Sequence, residues 1–504
     1  MKNKKLFLAT LIGFASLTFL SGCGGSNDGN INYNLWDKNQ NSLRKGNKNF
    51  AFYGINDFHG ATEFSSDTYE PGINKLSTYI KNQREYNQGN MFLFSSGDMW
   101  QGSADSNITR GELVVSWMNI LDFDAQAVGN HEFDWTTDVI KDNLSKMEFP
   151  LLACNIVYKT NNENVEWAKP YTTITRNGLR VGVVGAIGEG QEKDILSENV
   201  KEVKFLKPEQ EVNKWSKYLK DNGADIVVYL KHDSITSITE TEAKYVDLIF
   251  GGHTHTGENN FDTNNVTQTD YNIPALQAWS NGKDLGHIDL NFNFKTKKNT
   301  IQKVEIVDTR SFKLNYYVDD VETKLMYQSY LDNKINAIKN VVVLKNSTGI
   351  ERDLIPYIYN QYAYKYFKDC IDLENKYEIL AVETNGARSL LPAGDITFGD
   401  IYKALPFDNH LNLVKIKGVD VYKLGDYSSS YFFMPSANKN YRSYNFRPTV
   451  VSQQYYYVLM IDFIAQKHPY SQYVEVVESY NDEPALPREI MRRYLGQYPT
   501  NYIA

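Results

Sequence analysis

Five short apolar runs in the first half of the chain each end in a cluster of histidine, aspartate or asparagine, often next to glycine. The runs are FAFYGINDFHG, MFLFSSGDMWQG, AQAVGNHEFD, ADIVVYLKHDS and VDLIFGGHTH. Such runs alternate with helical stretches from about residue 48 to 295, which predicts an α/β or layered sandwich architecture. Because folds of this kind place their chemistry at one edge of a sheet, we expect these polar residues to converge.

The residue types at the strand ends predict a metal site. Five of the eight histidines of the chain lie there, whereas a single buried histidine is usually structural. The candidate ligands are Asp57, His59, Asp98, Asn130, His232, His253 and His255. Imidazole, carboxylate and amide ligands suit two divalent ions such as Zn²⁺, Mn²⁺ or Co²⁺. Two ions can activate a water and clamp a phosphoryl group, and His131, oriented by Asp134, would then be a proton donor.

The five blocks, in this order, resemble those of the calcineurin-like metallophosphoesterases, and GDMWQGS with GNHEFD resembles the 5′-nucleotidase branch, whose periplasmic members also hydrolyse UDP-sugars. The resemblance implies an N-terminal four-layer metallophosphoesterase β-sandwich flanked by helices, and a C-terminal α/β nucleotide-binding domain. It implies one ion held by Asp57, His59, Asp98 and His255. It implies a second ion held by Asp98, Asn130, His232 and His253, with His131 and Asp134 as the catalytic dyad.

The length of 504 residues favours two globular units. We expect the catalytic domain over 48–316, a linker helix over 317–340 with apolar Val321 and Leu325, and a substrate-binding domain over 341–504. Residues 385–418 resemble the nucleotide-binding domain of the same family. The resemblance implies nucleoside contacts from Arg388, Phe407 and Phe463, with Asn385 and Arg352 as further candidates.

Two departures from the family pattern concern the nucleoside pocket. The family turn Asn-Gly-Gly-Gly-Ile-Arg is replaced by ETNGAR, which puts the role of Asn385 in question. After Phe463 the chain reads IAQKHPY, where the family has Gly-Gly-Asp-Gly and uses that aspartate to hold the ribose hydroxyls. The sequence therefore predicts weak discrimination between ribonucleotides and deoxyribonucleotides.

The N-terminus has the pattern of an export signal. Lysines at 2, 4 and 5 precede an apolar stretch over 6–20, and the following LSGC resembles a lipobox in which Cys23 is acylated. A plain secretory signal over 1–22 is the alternative. Residues 23–47 are rich in Gly, Asn and Ser, which predicts a flexible tether to a bacterial membrane. Cys154 and Cys370 have apolar neighbours and are expected to be buried thiols.

The composition of the chain limits the classes of binding partner that we expect. The net charge is −8 and no Lys/Arg-rich stretch is interleaved with aromatics, so we expect no nucleic-acid polymer as partner. The leading hypothesis is an exported, lipid-anchored 5′-nucleotidase acting on nucleotide substrates. The alternatives are a 2′,3′-cyclic-nucleotide 2′-phosphodiesterase/3′-nucleotidase and a non-catalytic nucleotide-binding surface lipoprotein. The sequence leaves the oligomeric state open.

Overall fold

The structure is a computed structural model that describes residues 35–259, 273–426, 430–467 and 470–498. The predicted signal segment and the acylation site at Cys23 lie outside these residues. Within the described ranges, no helix combines the length and the apolar character that crossing a bilayer requires.

Two six-stranded sheets form the centre of the N-terminal half. The first has the strand order Lys298–Asp308, Asp284–Asn293, Asn47–Ile55, Met91–Ser95, Ala125–Ala127 and Leu151–Leu152. The second has the order Glu258–Asn259, Ala275–Gln277, Leu248–Phe250, Ile226–His232, Leu179–Ile187 and Tyr171–Arg176. The neighbouring strands that carry the predicted ligands are parallel within each sheet, so they end at the same edge.

The two sheets pack face to face because their strands alternate between two apolar faces. Phe50 and Phe52 point into the core between the sheets, where they meet Val181 and Val228 of the second sheet. Ala51 and Tyr53 lie on the other face of the strand, in the core between the first sheet and its helices. The helices of this half are Gly72–Tyr86, Ala104–Ile108, Glu112–Ile120, Thr136–Leu144, Pro208–Asp221, Glu240–Ala243 and Ser311–Leu314.

Helices cover both outer faces of the sandwich. Helices Gly72–Tyr86 and Glu112–Ile120 pack on the first sheet, and helix Pro208–Asp221 packs on the second. The order helix, sheet, sheet, helix confirms the predicted four-layer α/β sandwich. A small antiparallel pair, Ile156–Tyr158 with Val203–Phe205, is added at the side.

The C-terminal half is a separate α/β unit with its own core. Its main sheet has the order Lys439–Arg442, Tyr431–Met434, Ile379–Thr384, Tyr455–Ile461, Leu411–Lys417 and Val474–Tyr480. Val342–Ile350 pairs separately with Leu391–Thr397. The helices are Ile355–Tyr366, continued by Phe367–Ile371, then Phe398–Ala404, Asp462–Gln466 and Pro487–Leu495.

A connecting helix joins the halves, and only some of its apolar residues are buried. It runs as three successive segments, Val321–Tyr330, Leu331–Ile335 and Asn336–Lys339. Val321 and Leu325 are 70% and 68% exposed, whereas Thr323, Tyr327 and Ile335 are buried. The Tyr327 hydroxyl donates to the buried Asp105 carboxylate, a polar contact that the apolar spacing of the helix does not reveal.

Residues 35–46, which the sequence assigns to the flexible tether, pack against the sandwich. Trp36 is 3% exposed and its indole N–H donates to the Asn222 carbonyl oxygen at 2.8 Å. Arg44 forms an ion pair with Asp225 at 2.6 Å. A buried indole and an ion pair therefore fix residues 35–46 against the sandwich. Cys154 is buried as expected, whereas Cys370 is only half-buried.

Candidate active site

The predicted ligands meet where the strands of the two sheets end. Asp57, Asp98 and Asn130 follow three parallel strands of the first sheet, and His232 and His253 lie at the ends of two parallel strands of the second. Two groups of possible ligand atoms form there, each within 4.8 Å. The groups are Asp57, His59 and His255, and Asp98, His232 and His253.

In the first group, ring nitrogens and a carboxylate face one another. The Nε2 atoms of His59 and His255 are 2.9 Å apart, and Asp57 Oδ1 lies 3.4 Å from His255 Nε2. The Nδ1 atom of His59 is 2.9 Å from the Gln101 carbonyl oxygen, which can only accept. His59 therefore carries its proton on Nδ1 and presents the lone pair of Nε2 to the group.

The second group is assembled in the same way and includes Asn130. His232 Nε2 lies 3.2 Å from Asp98 Oδ2 and 3.1 Å from Asn130 Oδ1, and His253 Nδ1 lies 3.0 Å from the same amide oxygen. The Ser96 carbonyl oxygen accepts from His232 Nδ1 at 2.7 Å, which turns the Nε2 atom toward Asp98.

The electrostatics of the two groups fit cations. Burial lowers the pKa of His232, but the Asp98 carboxylate outweighs it and raises that pKa to about 10. Burial lowers the pKa of His59 to about 4, which leaves this imidazole neutral. The second group, in which Asp98 favours a proton on His232, also favours a metal ion, which binds the deprotonated imidazole. The donor set of imidazole, carboxylate and amide oxygen suits borderline divalent ions.

The backbone at the site is unusual. Five of the seven predicted ligands have a positive φ, which only glycine adopts freely. They are Asp57 at 49°, His59 at 50°, Asp98 at 55°, His253 at 75° and His255 at 56°. Gly129 allows the loops to approach, because a Cβ there would lie 2.3 Å from Asp98 Oδ1. Strained non-glycine residues of this kind cluster at functional sites.

Glu132 supports both ligand loops, although its sequence motif alone did not reveal this role. Its buried carboxylate accepts from the backbone N–H groups of Asp98 at 2.9 Å, Met99 at 2.8 Å and Gly129 at 2.7 Å. The Gln126 amide donates to it at 3.2 Å. Four donors on one carboxylate hold the loops after two strands in a fixed relation.

Asn56 has a comparable role on the other side of the site. Its amide N–H₂ donates to Asp57 Oδ2 at 2.6 Å and to the Ala278 carbonyl oxygen at 3.0 Å. Its amide oxygen accepts from the Ala278 N–H at 3.1 Å. These bonds orient the Asp57 carboxylate. The only signal for this role in the sequence is that Asn56 directly precedes a predicted ligand.

His131 stands beside the two groups with Asp134 as its partner. His131 Nδ1 lies 2.9 Å from Asp134 Oδ2, and the His131 backbone N–H donates to Asp98 Oδ1 at 2.8 Å. Burial lowers the pKa of His131, but Asp134 and Asp98 raise it to about 9. The imidazole is therefore protonated at neutral pH, with Nε2 left to serve a bound molecule.

A cavity of about 490 Å³ joins this site to the C-terminal half. The first half contributes Asn130, His131, Asp134 and His253 to its wall, and the second contributes Asn385, Arg388, Phe407 and Phe463. The Arg388 guanidinium lies 4.9 Å from the centre of the Phe407 ring, which also stacks on His131 at 5.8 Å.

Arg352 is the one predicted substrate contact that the structure keeps away from the cavity. Its side chain is 61% exposed and pairs with Asp353 at 3.4 Å. It begins a short helical turn, Arg352–Leu354, that precedes helix Ile355–Tyr366. The sequence already separates the two arginines, because Arg388 lies in the stretch that resembles the family's nucleotide-binding domain and Arg352 does not.

Known proteins match both halves of the chain. Residues 50–257 match the family described as calcineurin-like phosphoesterase, and residues 360–428 match the 5′-nucleotidase C-terminal domain. The chain is 27% identical to a snake venom 5′-nucleotidase of Naja atra over 69% of this chain and 70% of that one. It is 26% identical to protein UshA of Yersinia enterocolitica over 73% of this chain and 74% of that one. The structure of a 5′-nucleotidase precursor from Thermus thermophilus shares the fold, with a TM-score of 0.70 and 20% identity over 89% of this chain and 96% of that one.

Proposed function

Because the chain belongs to the calcineurin-like phosphoesterases that carry a 5′-nucleotidase C-terminal domain, we propose that it removes the 5′-phosphate from nucleotides outside the cytoplasm. The observation that carries the proposal is the shared cavity. Its wall contains His131 and Asp134 from the half that holds the ligand groups, and Phe407 and Phe463 from the C-terminal half. A phosphate beside the ligand groups and a base against the aromatic rings would match the two parts of a nucleotide.

The family uses two divalent metal ions, and the two groups of ligand atoms are the sites we assign to them. Asp57, His59 and His255 would hold one ion. His232, His253 and Asn130 would hold the other, with Asp98 between the two. When bound, such a pair supplies Lewis acidity that polarises a phosphoryl group and lowers the pKa of water.

His131 is the proposed general acid. Its imidazolium would give the Nε2 proton to the ester oxygen that leaves with the nucleoside, which prevents the release of a costly alkoxide. Asp134 holds Nδ1 at 2.9 Å, which fixes the ring orientation and favours the charged form. After the proton is transferred, the imidazole regains one from solvent through the open cavity.

The C-terminal half is the proposed substrate-binding domain, over 341–504, with the catalytic domain over 48–316. Phe463 and Phe407 offer aromatic faces, and stacking on such a face contributes about 1–3 kcal/mol per base. Arg388 lies over Phe407 and close to His131, where its charge suits the phosphate. Asn385 also lines the cavity, next to Gly386.

Export and lipid anchoring through Cys23 complete the proposal. The lysine-rich start, the apolar stretch and the LSGC sequence support it. One relative is named as a snake venom 5′-nucleotidase, and the extracellular action of a venom enzyme agrees with the proposed export of this chain. Acylation at Cys23 would then attach the chain to the membrane ahead of residues 35–46, which pack against the sandwich.

The test is hydrolysis by the purified, metal-loaded chain of AMP, 3′-AMP, 2′,3′-cyclic AMP and UDP-glucose. We expect AMP to have the highest kcat/KM, and hydrolysis of UDP-glucose as well would extend the activity to UDP-sugars. His131→Asn serves as the control for contaminating phosphatases, because it should lose the activity while keeping the fold. Preference for 3′-AMP or the cyclic nucleotide would overturn the 5′-nucleotidase assignment, and no hydrolysis at all would favour a binding protein.

A further inference from the structure

A loop of the N-terminal half reaches the nucleoside end of the cavity. It comprises the helical turn Gln191–Asp194 and the residues up to Ser197. The buried Gln191 amide donates to the His232 carbonyl oxygen at 2.7 Å, so one end of the loop is tied to a predicted metal ligand.

The other end of the loop is tied to the C-terminal half. The Ser197 backbone N–H donates to Gln466 Oε1 at 2.8 Å, and Gln466 Nε2 donates to the Ile195 carbonyl oxygen at 2.7 Å. Gln466 ends the short helix that also carries Phe463. The loop is therefore fixed against both the metal end and the aromatic end of the cavity, and Asp194 lies between these attachments.

Asp194 and Phe463 have a common neighbour in the wall of the cavity. Asp194, Phe463 and Lys467 all line its wall. Lys467 Nζ lies 3.6 Å from Asp194 Oδ1 and 4.4 Å from the centre of the Phe463 ring, so one ammonium touches both groups. The Asp194 side chain is 41% exposed, which leaves carboxylate lone pairs free for a ligand in the cavity.

A nucleotide bound as proposed has its sugar at this place. With the phosphate at the metal ligands and the base on Phe463, the ribose lies between His253 and Phe463, and both of these line the cavity with Asp194. A carboxylate can accept from both hydroxyls of a vicinal diol. The Lys467 ammonium offsets the repulsion between this carboxylate and the phosphate.

We propose that Asp194, from a loop of the N-terminal half, binds the ribose hydroxyls in place of the family aspartate that the segment after Phe463 lacks. The inference rests on the proposed 5′-nucleotidase function. It reverses the sequence-based prediction of weak discrimination, since a site built to hydrogen-bond a hydroxyl rejects a substrate without it.

The experiment compares kcat/KM for AMP, 2′-deoxy-AMP and 2′,3′-dideoxy-AMP. The wild type should prefer AMP to 2′-deoxy-AMP by about tenfold, the scale of one hydroxyl bonded to a charged acceptor. In Asp194→Ala and Asp194→Asn the preference should fall toward one. The ratio of two nucleotides with the same charge cancels any general effect of the lost carboxylate on phosphate binding.

Glu192→Gln is the matched control, since it removes one exposed carboxylate from the same loop and should keep the wild-type ratio. A ratio that stays near tenfold in both Asp194 variants would overturn the inference, as would a wild-type ratio near one. An equal loss for AMP and 2′-deoxy-AMP would also overturn it. Failure of the wild type to hydrolyse any of the three nucleotides would instead contradict the proposed function.

Discussion

Replacing the Glu132 carboxylate by an amide tests whether metal binding depends on the hydrogen bonds that hold the ligand loops. In Glu132→Gln the shape is kept, but one of the two acceptor oxygens becomes an N–H₂ donor. The Oε2 atom of Glu132 accepts from the N–H groups of Asp98 and Gly129, so the amide nitrogen would face these two donors. The reverse orientation of the amide would face the donors of Met99 and Gln126.

Either orientation leaves two buried donors without an acceptor. Each unsatisfied donor costs about 1–3 kcal/mol, so we expect a loss of about 2–6 kcal/mol in the free energy of unfolding. The same loops carry Asp98 and Asn130, and partners behind metal ligands typically change affinity by about 10–100-fold. Both the free energy of unfolding and the metal affinity should therefore fall.

Thermal unfolding with and without Mn²⁺, together with the metal content per chain, measures both effects. Glu475→Gln is the control, because it makes the same chemical change on an exposed carboxylate that pairs with Lys415 at the surface. Surface pairs contribute only about 0–1 kcal/mol. If Glu132→Gln kept two ions per chain and unfolded at the wild-type temperature, the four hydrogen bonds would not be holding the ligand loops.

Three further predictions concern different parts of the chain. His131→Asn should keep both metal ions, by elemental analysis, and lose about 10²–10⁴-fold in kcat; loss of metal would make His131 a ligand. Burial raises the pKa of Glu383 from 4.5 to about 8, so its stabilising effect is complete below pH 4.5 and is lost as the pH rises through 8. In Glu383→Gln the free energy of unfolding, measured by urea titration, should therefore decrease less between pH 5 and 9, by a few kcal/mol. An unchanged dependence on pH would contradict the raised pKa. Cys23→Ser should move the processed protein from the membrane to the soluble fraction, and membrane retention would argue against acylation.

The sandwich and the convergence of the polar residues could be predicted, because both depend on local patterns. Alternation such as Phe50, Ala51, Phe52 fixes which face of a strand is buried, and polar residues after parallel strands must meet at one edge. Phe407 and Phe463 were predicted only from resemblance, since aromatic residues in an apolar setting are usually core residues.

The features that the sequence did not reveal depend on contacts between distant segments. Asp194 lies in a polar loop without a motif, and its place in the cavity wall depends on a loop that Gln466 holds from a distant part of the chain. Glu132 acts through backbone N–H groups, which every residue except proline has. Trp36 lies in a Gly- and Asn-rich segment, and its burial depends on a partner 186 residues away.

The left-handed backbone at the predicted ligands has a consequence for directed evolution of thermostability. A non-glycine residue in this region costs about 1–3 kcal/mol, and a change to glycine at His255, whose side chain is 43% exposed, would recover part of it. A screen that rewards heat resistance without requiring turnover should therefore accumulate glycine at this position. The selected variants would be more stable but inactive, so a selection on this chain must measure activity and melting temperature together.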